Sequence, residues 1–379
     1  MGRLLEAYPA DSLVVLTGSH ASRVSTTDGR LPCTHIFFPT SKGWGRWGIG
    51  RIRTALDWLR LSWLTVRVIR LIKLYSSTVI ITILHGRFYF AVWAAARITR
   101  TPYIVFVHDY YLNDKRSIFG KIVRLGTQVA LRDAAKVFAI SPGMRERLQS
   151  DLGAESEVQL PATKAHPKDA NQRVWIRNEN PCIVYAGAIT NAVEDCLGLL
   201  IQVLIDGALK PCGIDSSRIQ LYSAISPEQV KARGWRHPDV HVSSWISQAD
   251  LPRALSKADI LFLPFSFRED VRDSIETAFP SKTADYLASG RPILVFGPKY
   301  STLVSYASQE GFAEVVDEFN AEALARGIQN IALSPSRQKT LGTRSLETFS
   351  RNHDIERQRR EVEQLLGKVA SVKRAGPAS

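Results

Sequence analysis

Lys282 and Asp285 stand one helical turn apart in Phe279-Pro-Ser-Lys-Thr-Ala-Asp-Tyr-Leu-Ala-Ser-Gly-Arg-Pro-Ile-Leu-Val-Phe296. This segment reads as a short helix between two stop signals, followed at once by a strand. Pro280 suits a first turn, whose N–H groups have no intrahelical partner. Gly290 suits the left-handed residue that closes a helix. Ile293 to Phe296 is an apolar run of the kind a parallel sheet buries. A helix N-terminus offers free N–H groups and a positive dipole end, and Lys282 adds a full charge there. Such a turn takes an anion, most naturally phosphate. Asp285 can accept hydrogen bonds from sugar hydroxyls. A phosphate site beside a hydroxyl acceptor points to a sugar nucleotide.

His108-Asp109 follows the apolar run Tyr103-Ile-Val-Phe-Val107, so both residues stand at a strand end, where doubly wound sheets place their ligands. The local alternative is a hydrogen-bonded turn. No His/Cys cluster has metal-ligand spacing and no D-x-D is suitably placed, so the expectation is transfer without metal or other cofactor.

The elements around these residues alternate strand and helix. Strands are expected at 13–17, 79–84, 103–107, 137–140, 182–186, 219–223, 240–242, 260–263 and 293–296. Helices are expected at 51–74, 88–99, 117–133 and 353–370, with another opened by Ser141-Pro142 as N-cap and first-turn proline. Residues 19–50 read as irregular. This alternation argues for parallel sheets with helices on both faces. Residues 166–180 are polar and aperiodic, and read as a linker. The divisions expected are an N-terminal domain over 1–165, a second domain over 181–350, and a C-terminal helix and tail over 351–379.

The chain has 379 residues, 45% of them hydrophobic, enough for two α/β domains. Its net charge is +13, and the excess is one-sided. Residues 1–175 hold 25 Lys and Arg against 12 Asp and Glu, whereas residues 176–379 hold 24 of each. An anionic partner is implied for the first half. Cys33, Cys182, Cys196 and Cys212 are far apart, which suits a reduced, cytoplasmic setting. No signal peptide opens the chain and no apolar run reaches the roughly 20 residues that span a bilayer.

The 279–296 segment resembles the donor-binding helix of GT-B glycosyltransferases, particularly the family-4-like retaining group. Further resemblances follow in order: Tyr185-Ala-Gly-Ala188, Val242-Ser-Ser-Trp-Ile246, Ala249-Asp-Leu-Pro252 and Ala258-Asp-Ile-Leu-Phe-Leu-Pro264. The set spans about residues 100–350. It implies an α/β chain of two Rossmann-like, doubly wound domains facing a cleft, with a C-terminal helix. It also implies a nucleotide-sugar donor held by Gly187, Ser223, Trp245, Ile246, Arg268, Phe279, Pro280, Ser281, Lys282 and Asp285. In the family two acidic residues stand eight positions apart. The second matches Asp285; the first falls on Thr277, with Glu276 beside it. Glu276, His108 and Asp109 are the catalytic candidates.

Two further departures stand out. The family's Arg and Lys after the first glycine of the donor domain are missing. Here the stretch is Gly187-Ala-Ile-Thr-Asn-Ala-Val-Glu-Asp195, whose two carboxylates would repel phosphate. The diphosphate would then rely on Lys282 and on Arg268. The family's opening strand and glycine-rich loop also have no counterpart, and residues 1–11 resemble the tail of the helix that follows them.

Between Lys42 and Lys73 there are eight Lys and Arg and one acid, Asp57. Arg53, Asp57, Arg60 and Arg67 fall on one helical stripe, with Trp58, Leu59, Trp63, Val66 and Ile69 over much of the rest. With Trp44 and Trp47 just before it, this pattern suits an anionic membrane surface. A buried helix with one wet edge is the alternative. Nucleic acid is not expected as a partner. The sequence thus implies a cytoplasmic glycosyltransferase, peripheral to the inner face of the membrane, with a lipid-linked or polysaccharide acceptor. The alternatives are a non-catalytic membrane-associated binder of the same fold and a nucleotide-sugar epimerase.

Overall fold

The computed structural model describes residues 2–18, 31–38, 51–85, 88–110, 118–166 and 175–375, with backbone alone for 18, 37–38, 51–58, 118–119 and 372–375. The chain forms two compact units, one of residues 1–159 with 355–379 and one of residues 160–354.

The first unit contains helix α1 (Gly2–Leu5) and a parallel pair, β1 (Val14–Gly18) and β2 (Thr34–Phe38), with Val14 opposite Thr34. β2 falls in a stretch whose sequence carries no periodicity strong enough to announce it. Helix α2 (Arg51–Leu74) leads into a four-stranded parallel sheet in sequential order: β3 (Ile80–Ile83), β4 (Tyr103–Val107), β5 (Lys136–Ala139) and β6 (Glu157–Val158). Its crossovers are α3 (Phe88–Thr99), α4 (Ile118–Arg132) and α5 (Pro142–Leu152). Ser141 caps α5 by accepting the Met144 N–H at 2.9 Å, and Gly153 closes it at φ 58°. Side-chain alternation along β4 sorts the two faces of the sheet. Tyr103, Val105 and Val107 pack with residues of α3, α4 and α5, whereas Ile104 and Phe106 pack with Val362, Leu366 and Val369. Those last three belong to the C-terminal helix, Ile355–Ala375, which therefore covers the other face of this first sheet.

The second unit is a six-stranded parallel sheet. Its strands are β7 (Cys182–Ala186), β8 (Arg218–Tyr222), β9 (Val240–Ser243), β10 (Ile260–Pro264), β11 (Ile293–Phe296) and β12 (Ala313–Val316), in the order β12-β11-β10-β7-β8-β9. The helices are α6 (Glu194–Ile205), α7 (Pro227–Ala232), α8 (Leu251–Leu255), α9 (Arg272–Thr277), α10 (Lys282–Ala288), α11 (Thr302–Glu310), α12 (Ala321–Ala332) and α13 (Pro335–Thr348); the C-terminal helix is α14. β7, β10 and β11 are buried throughout, which explains why they read as continuous apolar runs rather than alternating ones. The strand order is that of a doubly wound nucleotide-binding sheet. Its direction of winding reverses between β7 and β10, where such sheets open a crevice at the carboxyl ends of the strands.

Candidate functional site

At this switch point β7 runs into Gly187, whose φ of 148° favours glycine. The ammonium of Lys282 is packed against it. A Cβ on residue 187 would stand 2.6 Å from Nζ and 2.9 Å from Cε, so the close approach requires glycine. Nζ lies 2.7 Å from the Tyr185 hydroxyl and 3.9 Å from the centre of its ring. The Tyr185 hydroxyl donates to the Ala188 carbonyl at 2.6 Å, which leaves a lone pair for the amine. Lys282 is half-buried as a residue, and desolvation of its amine lowers the pKa from 10.5 to about 7. The sequence placed a full charge at a helix end; in the structure Lys282 packs against the Gly187 turn and the Tyr185 ring, where burial disfavours the charged form.

Tyr185 is the site residue that motif and spacing missed. It is separated from Lys282 by 97 positions, and no local pattern links them. Its neighbour in the site, Tyr286, is fully buried and accepts the Ala186 N–H at 2.8 Å, fastening α10 to the end of β7.

Helix α10 begins at Lys282, with Ser281 as an N-cap that makes no side-chain cap bond. Pro280 therefore precedes the first turn instead of occupying it. At seven residues α10 is short, so Lys282 itself supplies the positive charge. Gly290 closes the segment at φ 61°. Phe279 is buried edge-on against Tyr306 and stacks on His353, which sets the turn's position from below.

Glu194 and Asp195 are both engaged by other parts of the chain. Asp195 accepts from the Ser266 hydroxyl at 2.8 Å and the Phe267 N–H at 3.2 Å, tying α6 to the loop after β10. Glu194 pairs with Arg233 at 2.7 Å. The start of α6, where this topology usually receives phosphate, is thus supplied with the chain's own carboxylates. Arg268 is likewise engaged: it makes a two-pronged contact with Asp270 at 2.9 and 2.8 Å in its own loop.

Glu276 lies on α9 and pairs with Arg272 at 2.9 Å, while Arg272 covers the Tyr300 ring at 4.4 Å. Thr277, the family's first acidic position, is buried and its hydroxyl bonds back to the Asp273 and Ser274 carbonyls. Asp285 is buried on α10. Its charge acts on His166, raising the imidazole pKa against a larger lowering by burial. His166, whose Nδ1 is buried without a hydrogen-bond partner among the described residues, is a second group the sequence did not single out. Ser223 is buried just past β8, and its N–H donates to the Ser243 carbonyl at 3.0 Å. Trp245 is exposed and Ile246 half-buried just past β9. Beside these strand ends, an open cavity of about 730 Å³ runs between α7 and the edge strand β9, lined by Ile225, Val230, Trp235, His237, Val242 and Ser243.

The remaining candidates belong to the first unit. His108 follows β4 and stacks on Phe106 at 6.3 Å; Asp109 beside it is exposed. His108 Nε2 is buried with no hydrogen-bond partner among the described residues, and burial lowers the imidazole pKa.

Helix α2 has two faces. Leu64, Val68 and Ile72 pack on Ala91 and Ala95 of α3. Leu59, Trp63 and Val66 stay exposed beside Arg60 and Arg67, and the Arg67 guanidinium lies 5.4 Å from the Trp63 ring. Ile122, Leu125 and Val129 form a second exposed stripe on α4. Trp44 and Trp47 lie outside the described residues, as do the side chains of Arg53, Asp57 and Trp58.

Comparison with known proteins agrees with this architecture. Residues 3–161 match the family described as glycosyl transferase 4-like domain. No curated protein matches the sequence. Among solved structures, a glycosyltransferase from Rickettsia africae superposes with a TM-score of 0.64 at 13% identity, covering 94% of this chain and 89% of that one. Anabaena HepE, solved with UDP-glucose, gives 0.63 at 14% identity, covering 97% and 94%. Sucrose-phosphate synthase from Thermosynechococcus elongatus gives 0.62 at 15% identity, covering 90% and 84%. The chain therefore has the GT-B fold of these glycosyltransferases, and its residues 3–161 match a glycosyl transferase 4-like domain.

Proposed function

We propose that the protein moves a sugar from a nucleotide-sugar donor to a lipid-linked or polysaccharide acceptor at an anionic membrane surface, without a metal. One observation carries the donor half: an enclosed amine, Lys282, stands at the switch point of a doubly wound sheet, against a glycine that alone permits it there. A donor diphosphate at this turn meets the ammonium, which stabilises it as it leaves. Asp285 accepts sugar hydroxyls, and Ser223, Trp245 and Ile246 lie on the base side. His108, Asp109 and Glu276 keep their assignment to the reaction. Two comparisons point the same way: HepE is solved with UDP-glucose, and others of similar fold are UDP-forming synthases. Among the described residues no group of three His, Cys, Asp or Glu is placed to hold a metal ion, and the proposal expects turnover to survive EDTA.

The membrane half rests on where apolar surface is left uncovered. Ten of the fourteen large hydrophobic residues exposed among the described residues fall between Leu59 and Val129, in the basic half of the chain. No described helix is long and apolar enough to cross a membrane, so contact is at the surface.

A thermal-shift screen against UDP-, GDP- and TDP-sugars tests the donor half. A ligand at 100 times its Kd raises stability by about 2.7 kcal/mol. One nucleotide class should do so, and Lys282→Ala should abolish the response. Binding without transfer to any membrane-extracted acceptor would leave a nucleotide-sugar binder in place of an enzyme.

A further inference from the structure

Lys282 sits in an unusual setting for a cation. Its amine is enclosed by the Gly187 turn and the Tyr185 ring, and among the described residues its polar partner is the Tyr185 hydroxyl at 2.7 Å. Ionisable groups near this turn are Tyr185 of β7, Asp285 and Tyr286 of α10, His166 beside Asp285, Glu194 and Asp195 of α6, and Arg272, Asp273 and Glu276 of α9. Among the described residues none of their carboxylates comes within 4 Å of the amine. Glu194, Asp195 and Glu276 are held by Arg233, by Ser266 with Phe267, and by Arg272 respectively. The Tyr286 hydroxyl is taken by the Ala186 N–H. Among the described residues the free site thus offers an ammonium no carboxylate in contact; a bound diphosphate would supply a counter-charge.

We propose that donor binding takes up one proton from solvent, onto Lys282, and that Tyr185 is the positioning residue that keeps this amine at the Gly187 turn and sets the pH at which uptake begins. The proposal rests on the assignment of this turn to the diphosphate. The balance is simple: the neutral amine plus a solvent proton plus the donor gives an ammonium–diphosphate pair, and no bond to carbon is made or broken. Burial brings the amine's titration in the free protein to about pH 7, and the incoming anion moves it up again. Below that pH affinity is flat. Above it, affinity falls by about tenfold per pH unit, until the pKa of the bound form is reached.

Two measurements test this. Trace labelling of the free protein with acetic anhydride over pH 5.5–10.5, read at the Lys282 peptide by mass spectrometry, gives the amine's own titration without any donor. A midpoint near 7 is expected, moving lower in Tyr185→Phe, which removes the lone pair that favours the ammonium. A midpoint near 10, as for an exposed lysine, overturns the proposal whatever the ligand. Calorimetry with UDP-glucose and GDP-mannose, in buffers of different ionisation heat, then counts protons. Uptake near one at pH 8.5 and near zero at pH 6 is expected. Lys282→Arg, which does not titrate here, should bind without pH dependence. Donor binding with no proton uptake at pH 8.5 overturns the proposal while leaving the donor site standing. Failure of every nucleotide sugar to bind, with Lys282 still titrating near 7, overturns the donor assignment and the proposal with it.

Discussion

The imidazole of His353 joins two distant stretches of the second unit: Nδ1 lies 2.6 Å from the Pro161 carbonyl, and Nε2 lies 3.0 Å from the Tyr306 hydroxyl. Because a carbonyl can only accept, Nδ1 carries the proton and Nε2 accepts from the tyrosine. The ring is fully buried and stacks under Phe279, so it supports the Lys282 turn from beneath.

Burial holds the His353 pKa at about 4, against about 6.5 when unfolded. The unfolded chain therefore binds a proton that the native one refuses. The associated stability is complete above pH 6.5 and is lost as pH falls from 6.5 toward 4, a change of about 3 kcal/mol. Urea denaturation at pH 7.5, 6 and 5 should show wild type losing more stability than His353→Gln, which keeps a polar side chain but does not titrate. Parallel losses in the two proteins would refute this.

Gly187→Ala introduces a Cβ 2.6 Å from Lys282 Nζ at a residue with φ 148°. Backbone strain should cost about 1–3 kcal/mol. The larger effect is expected on ligand: the amine must leave the turn, and affinity for the nucleotide sugar found in the thermal-shift screen should fall more than tenfold. An unchanged Kd by calorimetry would show that the glycine–lysine contact has no part in binding.

Asp195→Ala and Glu194→Gln separate two half-buried acids, one bonded to neutral groups and one paired with a cation. Asp195 holds the Ser266 hydroxyl and the Phe267 N–H, and its removal leaves both without that acceptor. The expected cost is about 1–3 kcal/mol. Glu194 makes a partly exposed pair with Arg233, worth at most about 1 kcal/mol. Melting curves giving the opposite ranking would contradict the assignment.

Asp285→Asn should weaken nucleotide-sugar binding more than Glu276→Gln. Asp285 is buried beside His166, on the helix that carries Lys282, whereas Glu276 already spends its charge on Arg272. The quantities to compare are Kd from calorimetry and kcat from a transfer assay. If Glu276→Gln lowers kcat with Kd unchanged, its catalytic assignment stands; if both constants are unchanged, that assignment falls.

On α2 the two faces should respond differently. Arg60 and Arg67 each contribute about 1 kcal/mol near an anionic surface, so their joint change to Gln should lower vesicle binding by about 30-fold. The loss should shrink as added salt shortens the Debye length below about 10 Å. Trp63→Ala, on the exposed face, should reduce the salt-resistant part of binding. Leu64→Ala, on the buried face, should instead cost about 2–5 kcal/mol of stability. Vesicle sedimentation beside a melting curve for each variant checks the set. Partition indifferent to lipid charge and salt would rule out the membrane assignment.

The repeating strand–helix pattern, the cap at Ser141 and the close of α10 at Gly290 were legible in the sequence because each depends on neighbours within a few residues. Fully buried parallel strands such as β7 and β10 were legible too, since burial on both faces leaves an unbroken apolar run. β2 was not, lying in a stretch without periodicity. The site divides the same way. Phe279, Lys282 and Asp285 were found as a motif, but the state of Lys282 was not. Its charge depends on Tyr185 and Gly187, which are near it only once β7 and α10 are packed. The partners of Glu194 and Asp195 were not legible for the same reason, since Arg233 and Ser266 lie 39 and 71 positions away. Local sequence determines which elements form and where they stop. Protonation, pairing and access depend on low-dielectric contacts between distant segments, and those exist only in the folded chain.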